Sequence, residues 1–412
     1  MEFLKQTLDN GLEIVAESSA EAYSLGLGFF VQTGSRDESD AVAGVSHFLE
    51  HMVFKGTATR TADEVNREFD EMGAHYNAFT SEENTVYYAA VLPECQHRCL
   101  ALLADILRPS LRPEDFDSEK RVIIEEIRMY EDQPPFGADD KCKMTHFGSH
   151  PLGRSVLGTV ASIAGLRAEQ MQEYFSRRYS PANIVLAAAG RVDFDQLVRQ
   201  AERACGHWPH IDVQRDRPKA EPHSSFDVIH HPSASQEYML QLMNAPAAED
   251  GDRFAAKLLA TVVGDDSGSR FYWELLDSGL AENASLGHCE YQDAGLYMAY
   301  LSCEPRQAAD NMQLIADIYQ QVETHGIDDQ ELAQARTKVK ARVVLSSERP
   351  RNRLFSVGGN WVTQRTYRSV QDDLADLDGV TVDAVHRVLA AYPFSVNTTL
   401  AIGPEAGLAR PR

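Results

Sequence analysis

The stretch GVSHFLEHMVFKGT, residues 44–57, places two histidines and a glutamate within five consecutive positions. At 100° per residue on an α-helix, His47, Glu50 and His51 share one face, and the apolar residues around them occupy the other. Two imidazoles one turn apart can bind a single Zn2+ ion, with a neighbouring carboxylate as general base. The alternative is the solvated polar face of an amphipathic helix, and these residues alone leave both interpretations open.

A second predicted helix, DSEKRVIIEEIRMYED, contains a candidate third ligand. A catalytic zinc held by two histidines usually takes a third protein ligand and keeps its fourth position for water. Glu119 and Glu126 fall on the stripe occupied by apolar side chains, whereas Glu125 falls on the polar side. A carboxylate on a core-facing stripe is costly unless it meets a cation or a metal. The periodicity favours Glu126 as the ligand and Glu119 as a supporting carboxylate; the alternative is that buried arginines neutralise the pair.

The elements around these residues predict an α+β fold built from a repeated unit. FLKQTL, DNG and LEIVAES indicate a hairpin, and the strand YSLGLGFFVQTG precedes the histidine-bearing helix DAVAGVSHFLEHMVFKG. After the proline-rich segment HIDVQRDRPKAEPHSS, a strand and a helix recur as QEYMLQLMNAPA and DGDRFAAKLLATVVG, without the histidines. This repetition indicates duplication of a unit of roughly 200 residues. We expect domains at residues 1–212 and 226–412, joined by a linker at 213–225.

Composition limits the function classes. The chain has 412 residues and a formal net charge of -23, which argues against nucleic acid as a partner because phosphate binding needs a basic surface. No apolar run approaches the ~20 residues that a membrane span needs, and the N-terminus lacks the apolar stretch of a signal peptide. We therefore expect a cytoplasmic location, with the six cysteines reduced. The acidic balance favours cationic ligands.

Together, His47, Glu50, His51 and Glu126 resemble the HxxEH and distant-glutamate signature of the insulinase and pitrilysin family of zinc peptidases. The similarity continues through FKGT, NAFTSEENTVYYA, IIEEIRMYEDQPP, HPLGRSVLGT and YSPANIVLAAAG, and more weakly through the second half, including GDDSGSRFYWEL. The length fits the branch with short two-domain chains, as in bacterial processing proteases and the subunits of the mitochondrial processing peptidase. The resemblance implies two homologous domains, each a mostly antiparallel sheet packed against helices, facing each other across a cavity.

The resemblance also implies a role for each residue of the signature. His47, His51 and Glu126 correspond to zinc ligands, and Glu50 to the general base that acts on a zinc-bound water. Glu119 corresponds to a supporting carboxylate of the catalytic site. The implied activity is that of a zinc-dependent endopeptidase, a hydrolase of peptide bonds.

A further segment resembles the substrate-binding edge strand of that family. An open sheet edge can hold an extended peptide through main-chain hydrogen bonds with little regard to sequence. The expected substrates are unfolded peptides or extended, presequence-like segments, with basic peptides favoured, and the expected assembly is a homodimer or a heterodimer with a related subunit. The residues implied in substrate binding are Asn77, Ala78, Phe79 and Thr80.

One departure from the family pattern leaves an alternative function open. Active members often carry an arginine and a tyrosine seven residues apart soon after the helix that begins near SRFYWE, and alignment places Leu275 or Leu276 and Glu282 there. A different subunit could supply the pair, or residues elsewhere in the second half could replace it. The alternative is therefore a non-catalytic peptide-binding or structural subunit of a hetero-oligomeric processing peptidase. The candidate replacements are Arg270, Tyr291 and Tyr297.

Four arginines lie close together in and just before the segment SSERPRNRLFSVGGNW. They could bind the terminal carboxylate of a substrate or form surface ion pairs. The chain has 62 Asp and Glu against 39 Lys and Arg, so carboxylates are plentiful, and ion pairs are the favoured interpretation. These residues are Arg342, Arg349, Arg351 and Arg353.

Overall fold

The computed structural model describes residues 1–221 and 223–411, which form two compact units. Unit 1 comprises Met1–Arg128, Arg154–Asp216 and Val344–Ser369, and unit 2 comprises the described residues of Met129–Gly153, Arg217–Val343 and Val370–Arg412. Both units therefore draw on both halves of the sequence, and the contiguous division into 1–212, 213–225 and 226–412 stays a prediction. Among the helices in the described ranges, none is long and apolar enough to cross a bilayer.

Helices and strands alternate along the chain, with short 3-10 turns between many of them. The strands, in chain order, are β1 Glu2–Thr7, β2 Glu13–Ser18, β3 Leu25–Val31, β4 His75–Thr80, β5 Thr85–Val91, β6 Ile184–Gly190, β7 Phe226–His230, β8 Glu237–Ala245, β9 Asn283–Tyr291, β10 Ala294–Cys303 and β11 Asn397–Gly403. The helices, in chain order, are α1 Val45–Val53, α2 Ala62–Glu71, α3 Gln96–Ile106, α4 Pro113–Asp132, α5 Ala138–Phe147, α6 Val160–Gly165, α7 Ala168–Arg178, α8 Phe194–Cys205, α9 Arg253–Gly264, α10 Ala308–His325, α11 Asp329–Ser347, α12 Pro350–Gln364, α13 Val370–Gly379 and α14 Val382–Ala391.

Unit 1 is organised around a six-stranded sheet with the order β1-β2-β6-β3-β5-β4. Its neighbouring strands pair antiparallel except for β2 and β6, which are parallel. The central strands β3 and β6 are buried along their whole length, as their continuous apolar sequences LGLGFFV and IVLAAAG require. β4 forms one edge of the sheet, and its side chains alternate between exposed and covered positions.

Helix α12 covers one face of this sheet although it comes from the far end of the sequence. Leu354 and Val357 pack against apolar side chains of β2, β3, β5 and β6. The buried guanidinium of Arg353 donates a hydrogen bond from Nε to Oε1 of Glu17 over 2.8 Å. This ion pair and the apolar contacts attach residues 344–369 to unit 1.

Unit 2 repeats the same sheet with one strand fewer. Its order, β7-β11-β8-β10-β9, matches β2-β6-β3-β5-β4 strand by strand and keeps the parallel pair at the same place. Helix α5, from the first half of the sequence, packs against β8 and β11, as α12 packs on the sheet of unit 1. The predicted fold class, two homologous α+β domains with mostly antiparallel sheets packed against helices, is confirmed.

Gly358 and Gly359 form a matched pair for testing how closely α12 packs on β3. A Cβ on Gly358 would lie 2.4 Å from the ring of buried Phe30, whereas a Cβ on Gly359 would meet nothing within 4 Å. We expect Gly358→Ala to lower the free energy of unfolding by about 1–3 kcal/mol through overpacking. Gly359→Ala should raise it by up to ~1 kcal/mol, because alanine favours the helix. Urea unfolding, monitored by circular dichroism, measures both free energies. If the two variants changed the free energy of unfolding by the same amount and in the same direction, the close contact at Gly358 would be contradicted.

Candidate metal centre

Helix α1, which carries the two histidines, has an N-terminus fixed by tertiary contacts. Gly44 has a φ of +88°, and a Cβ there would lie 2.5 Å from the carbonyl oxygen of Leu157. The predicted helix from Asp40 therefore begins only at Val45, after a separate 3-10 turn at Asp40–Val42. A left-handed glycine cannot continue an α-helix, so the chain turns at this point.

A buried carboxylate caps this N-terminus. The two oxygens of Glu38 accept hydrogen bonds from the backbone N–H groups of Gly44 and Ser46, at 2.6 and 2.8 Å. Burial raises the pKa of Glu38 to about 7, and these two hydrogen bonds oppose the rise. Glu38 thus satisfies N–H groups that the first turn of a helix leaves without partners.

The apolar face of α1 packs into the core of unit 1. Phe48, Leu49 and Met52 are at most 1% exposed. The ring of Phe48 stacks on that of Phe116 in α4, with centroids 4.7 Å apart. This contact brings α4 alongside α1, so that carboxylates of α4 meet the histidines.

Three side chains predicted as zinc ligands converge between α1 and α4. One ligand atom each from His47, His51 and Glu126 lie within 4.8 Å of one another. Nε2 of His47 is 3.9 Å, and Nε2 of His51 is 3.8 Å, from Oε2 of Glu126. Ligand atoms bound to a tetrahedral zinc at about 2.1 Å lie roughly 3.4 Å apart, and the two distances from the histidines to Glu126 exceed this by about half an ångström. The donor set and its spacing fit a zinc ion.

Burial sets the protonation of two of these ligands. Burial, together with the charge of His51, lowers the pKa of His47 to about 3, so His47 is neutral near pH 7, as a metal ligand must be. Nδ1 of His47 is buried and has no hydrogen-bond partner in the described part of the chain. For Glu126, burial raises the pKa, the charge of His51 opposes this rise, and the charge of Glu119 adds to it.

Glu119 lies directly behind His51. Its Oε1 is 2.8 Å from Nδ1 of His51, and its Oε2 is 2.5 Å from Nζ of Lys55. Burial would raise the pKa of Glu119, but the hydrogen bonds from His51 and Lys55 bring it below its usual value. Burial would lower the pKa of His51, but Glu119 and the nearby carboxylates raise it. The contact fixes the ring of His51 with Nε2 toward the cluster. The sequence alternative was that buried arginines neutralise the carboxylates, but the cation beside Glu119 is Lys55.

Glu50, the predicted base, lies between the histidines and the edge strand β4. The hydroxyl of Thr80 donates a hydrogen bond to Oε2 of Glu50 at 2.7 Å. Burial raises the pKa of Glu50, and the hydrogen bond from Thr80 opposes the rise. Of the other residues predicted in this strand, Asn77 and Phe79 are exposed and Ala78 is buried. The structure thus joins the predicted base to the predicted substrate strand through Thr80.

The second-domain residues singled out in the sequence lie in unit 2. Leu275 is fully buried in the core of that unit, and Leu276 packs against it from a π-helical turn. Glu282 is exposed immediately before β9. The candidate replacements also lie in unit 2. Tyr291 and Tyr297 are buried, and Arg270 pairs with Glu331 of α11.

The four clustered arginines divide into two groups. Arg342 is half exposed and pairs with Asp265 at 2.5 Å, as the surface ion-pair interpretation predicts. Arg353 also forms an ion pair, with Glu17, but that pair is buried. For Arg349 and Arg351, the residues that the structure describes offer no carboxylate at ion-pair distance.

Two residues that support the site were missed in the sequence. Lys55 follows His51 by four positions, one turn along the same face, so the helical spacing could have identified it. Glu38 lies in the connection before α1, where no periodic pattern indicates which backbone groups it meets.

Two family models match successive parts of the chain. Residues 13–160 match the family described as "Insulinase (Peptidase family M16)", and residues 165–339 match "Peptidase M16 inactive domain". The chain belongs to the M16 peptidase family. An M16 relative from Mycobacterium tuberculosis, named an uncharacterized zinc protease, is 33% identical and covers 93% of this chain and 89% of its own. Another, YmxG of Bacillus subtilis, is 29% identical over 98% of each chain and is named in the same way.

Solved structures show the M16 fold across nearly the whole chain. A protease from Helicobacter pylori has a TM-score of 0.91 and 21% identity, covering 97% of this chain and 99% of its own. An M16-like peptidase from Alicyclobacillus acidocaldarius has a TM-score of 0.86 and 22% identity, covering 97% and 98%. At these identities the likeness establishes the fold. The resemblance inferred from the sequence is confirmed at the level of the M16 family.

Glu126 and its neighbour Glu125 allow a controlled test of the third ligand. We expect Glu126→Gln to weaken zinc binding by more than about 100-fold, because it removes a charged donor from the cluster. This loss is larger than the ~10–100-fold typical of losing a residue that only hydrogen-bonds a metal ligand. Glu125→Gln should leave zinc affinity unchanged, since the Glu125 side chain is 70% exposed and pairs with Arg128. Competition against a chromophoric chelator measures both affinities. Equal affinities for the two variants would remove Glu126 from the ligand set.

Glu119→Gln tests the carboxylate behind His51. The amide keeps the shape but loses the charge that holds His51 and Lys55. We expect zinc affinity to fall by about 10–100-fold, the usual effect of losing such a partner. Glu125→Gln again serves as the control, and an unchanged affinity in Glu119→Gln would show that the contact does not support the site.

Proposed function

We propose that this protein is a zinc-dependent endopeptidase that cleaves extended peptides. The observation that carries the proposal is the convergence of His47, His51 and Glu126 beside Glu50, which is itself hydrogen-bonded to Thr80 of the edge strand β4. A metal-binding cluster, a base and a template for an extended chain therefore meet at one place. Two histidines with one carboxylate form a donor set typical of hydrolytic zinc.

Each residue of the site has a separate role in peptide hydrolysis. When bound, zinc would supply a Lewis acid that polarises the scissile carbonyl and lowers the pKa of a water molecule. Glu50 takes the proton of the attacking water at Oε1, since Oε2 is held by Thr80, and returns it to the leaving amine. A raised pKa suits Glu50 to both transfers. Glu119 keeps His51 oriented, through the hydrogen bond to Nδ1.

Strand β4 offers main-chain groups to a substrate at alternate residues. The hairpin to β5 closes with a hydrogen bond from Ser81 N–H to the carbonyl of Asn84 at 2.8 Å. With this register, antiparallel alternation directs the N–H and C=O groups of Ala78 and Thr80 away from β5. The N–H of Ala78 donates instead to Oδ1 of Asn77 at 2.9 Å. A substrate strand would replace that local contact with a bond to its own carbonyl.

Further parts of the proposal concern substrates and assembly. The net charge of -23 favours basic peptides by long-range attraction. Unfolded or presequence-like peptides suit an edge strand, which binds extended chains. A homodimer, or a heterodimer with a related subunit, follows from the sequence resemblance and is proposed on that basis. A cytoplasmic location is proposed as the default expectation from the sequence.

A non-catalytic peptide-binding subunit is the second candidate. It is favoured by the residues that stand where active relatives often carry an arginine and a tyrosine, namely Leu275 or Leu276 and Glu282. Without that pair, the negative charge that develops during hydrolysis loses two donors. The edge strand would then hold peptides for a partner subunit to cleave.

Glu50→Gln separates the two candidates. Zinc-loaded protein is incubated with a mixed set of basic and acidic peptides, and the products are read by mass spectrometry. We expect the parent to cleave and Glu50→Gln to be slower by about 100- to 10,000-fold, because the amide cannot accept a proton. Zinc content should stay the same, since Glu50 is outside the ligand set, and Glu125→Gln should cleave like the parent.

Two results would contradict the proposal. Zinc-loaded parent that binds the peptides but cuts none favours the non-catalytic subunit. Cleavage at equal rates by the parent and Glu50→Gln would remove Glu50 as the base. A set of products with no bias toward basic peptides would remove the expected charge preference while leaving the activity in place.

A further inference from the structure

We propose that Arg351 determines substrate specificity by binding a carboxylate on the carboxyl-terminal side of the scissile bond. This inference rests on the proposed function and adds a charge preference at one substrate position. It concerns Arg351 and the strand β4, which both lie in unit 1.

The two faces of β4 have different neighbours. Thr80 lies on the face of α1, where it contacts Glu50. His75 and Phe79 lie on the opposite face, as alternation along the strand requires. There the ring of Phe79 is 5.9 Å from that of Phe355, and Nε2 of His75 is 3.5 Å from Nη1 of Arg351. Helix α12 thus lines one side of the open edge.

The direction of a bound substrate places these contacts downstream of the cleaved bond. A peptide that pairs antiparallel with β4 runs from Thr80 toward His75. The scissile bond lies near Thr80, because Thr80 contacts Glu50. The strand has six residues, so the substrate residue opposite His75 follows the scissile bond by about four or five positions. Its side chain points to the face of α12.

Arg351 is held in place there without a carboxylate partner in the described ranges. Its Nε is buried and has no hydrogen-bond partner among the residues described, and its guanidinium lies 5.7 Å from the ring centre of Tyr88. A carboxylate placed beside Arg351 gains a charge-assisted hydrogen bond.

An apolar patch precedes this cation along the substrate path. Phe79 is 41% exposed although it is a large apolar residue on an edge strand. Phe355 lies beside it and meets Tyr88 at 4.8 Å between ring centroids. His75 and Phe79 are four positions apart on the same face. We therefore expect the site to prefer substrates that carry an apolar residue opposite Phe79 and, four positions later, an acidic residue opposite His75.

Peptides that differ at a single position test this inference. Each carries Glu, Gln or Lys at one of six successive positions after a mapped cleavage site, in versions with an amidated or a free C-terminus. Two quantities are measured: kcat/KM for cleavage by the zinc-loaded protein, and the Kd for binding to the Glu50→Gln variant. We expect about tenfold preference for Glu over Lys at one position, four or five residues downstream.

Substitutions of Arg351 decide the origin of that preference. Arg351→Ala should abolish it, and Arg351→Glu should reverse it toward Lys, a result that an unfolded protein cannot give. Arg349→Ala serves as the matched control, since Arg349 is exposed and also lacks a carboxylate partner among the described residues, and it should keep the preference.

The possible outcomes separate this inference from the proposed function. Cleavage without a preferred Glu position, or with a preference that survives Arg351→Ala, overturns the inference and leaves the peptidase proposal intact. Binding that prefers Glu through Arg351, without any cleavage by the parent, supports the inference and overturns the peptidase proposal. A preference limited to peptides with a free C-terminus assigns the terminal carboxylate as the ligand of Arg351, whereas one that survives amidation assigns an acidic side chain.

Discussion

Burial of both apolar faces of the unit 1 sheet is the constraint on which the remaining features depend. One face packs against helices of the large core, including α1, α3, α7 and α8, and the other packs against α12. The strands β2, β3, β5 and β6 are largely buried as a result. β4 pairs with β5 on one side and keeps its other edge open. An edge that is already ordered in this way can align an extended peptide without first having to order itself.

The same packing brings the residues of the metal cluster together. Because α4 lies against α1, Glu119 is buried to 4% exposure, where an isolated carboxylate would be costly. His51 and Lys55 offset that cost from two sides, and the resulting contacts fix the imidazole ring. The buried carboxylate that stabilises the interface between the helices is therefore also the one that orients a ligand.

The parts of the fold that could be predicted from the sequence are those governed by local periodicity. The step of 100° per residue separated Glu126 from Glu125, and the structure places only Glu126 with the histidines. The recurrence of strand and helix predicted the paired sheets. The start of α1 was predicted too early, because the conformation of Gly44 depends on its close approach to residue 157.

Other features depend on contacts between residues far apart in sequence. The apolar spacing of Leu354 and Val357 predicts a packed helix but not the sheet it covers, so the attachment of α12 to unit 1 had no local signal. For the same reason, the sequence did not distinguish Arg351 from Arg353. Arg353 is paired with Glu17, whereas Arg351 lies beside the edge strand β4. A pattern in sequence identifies a face, and only the fold identifies its neighbour.

The position of α12 has a consequence for synthesis of the protein on the ribosome. From residue 216, where the first-half segments of unit 1 end, to residue 350, where α12 begins, the chain advances by 134 positions. At ~5–20 residues per second, that takes roughly 7 to 27 seconds. During this interval the face of the sheet containing Phe30 and Val185 has been synthesised but its covering helix has not. A chaperone that binds nascent apolar strands would have its target there, and would be displaced as α12 arrives.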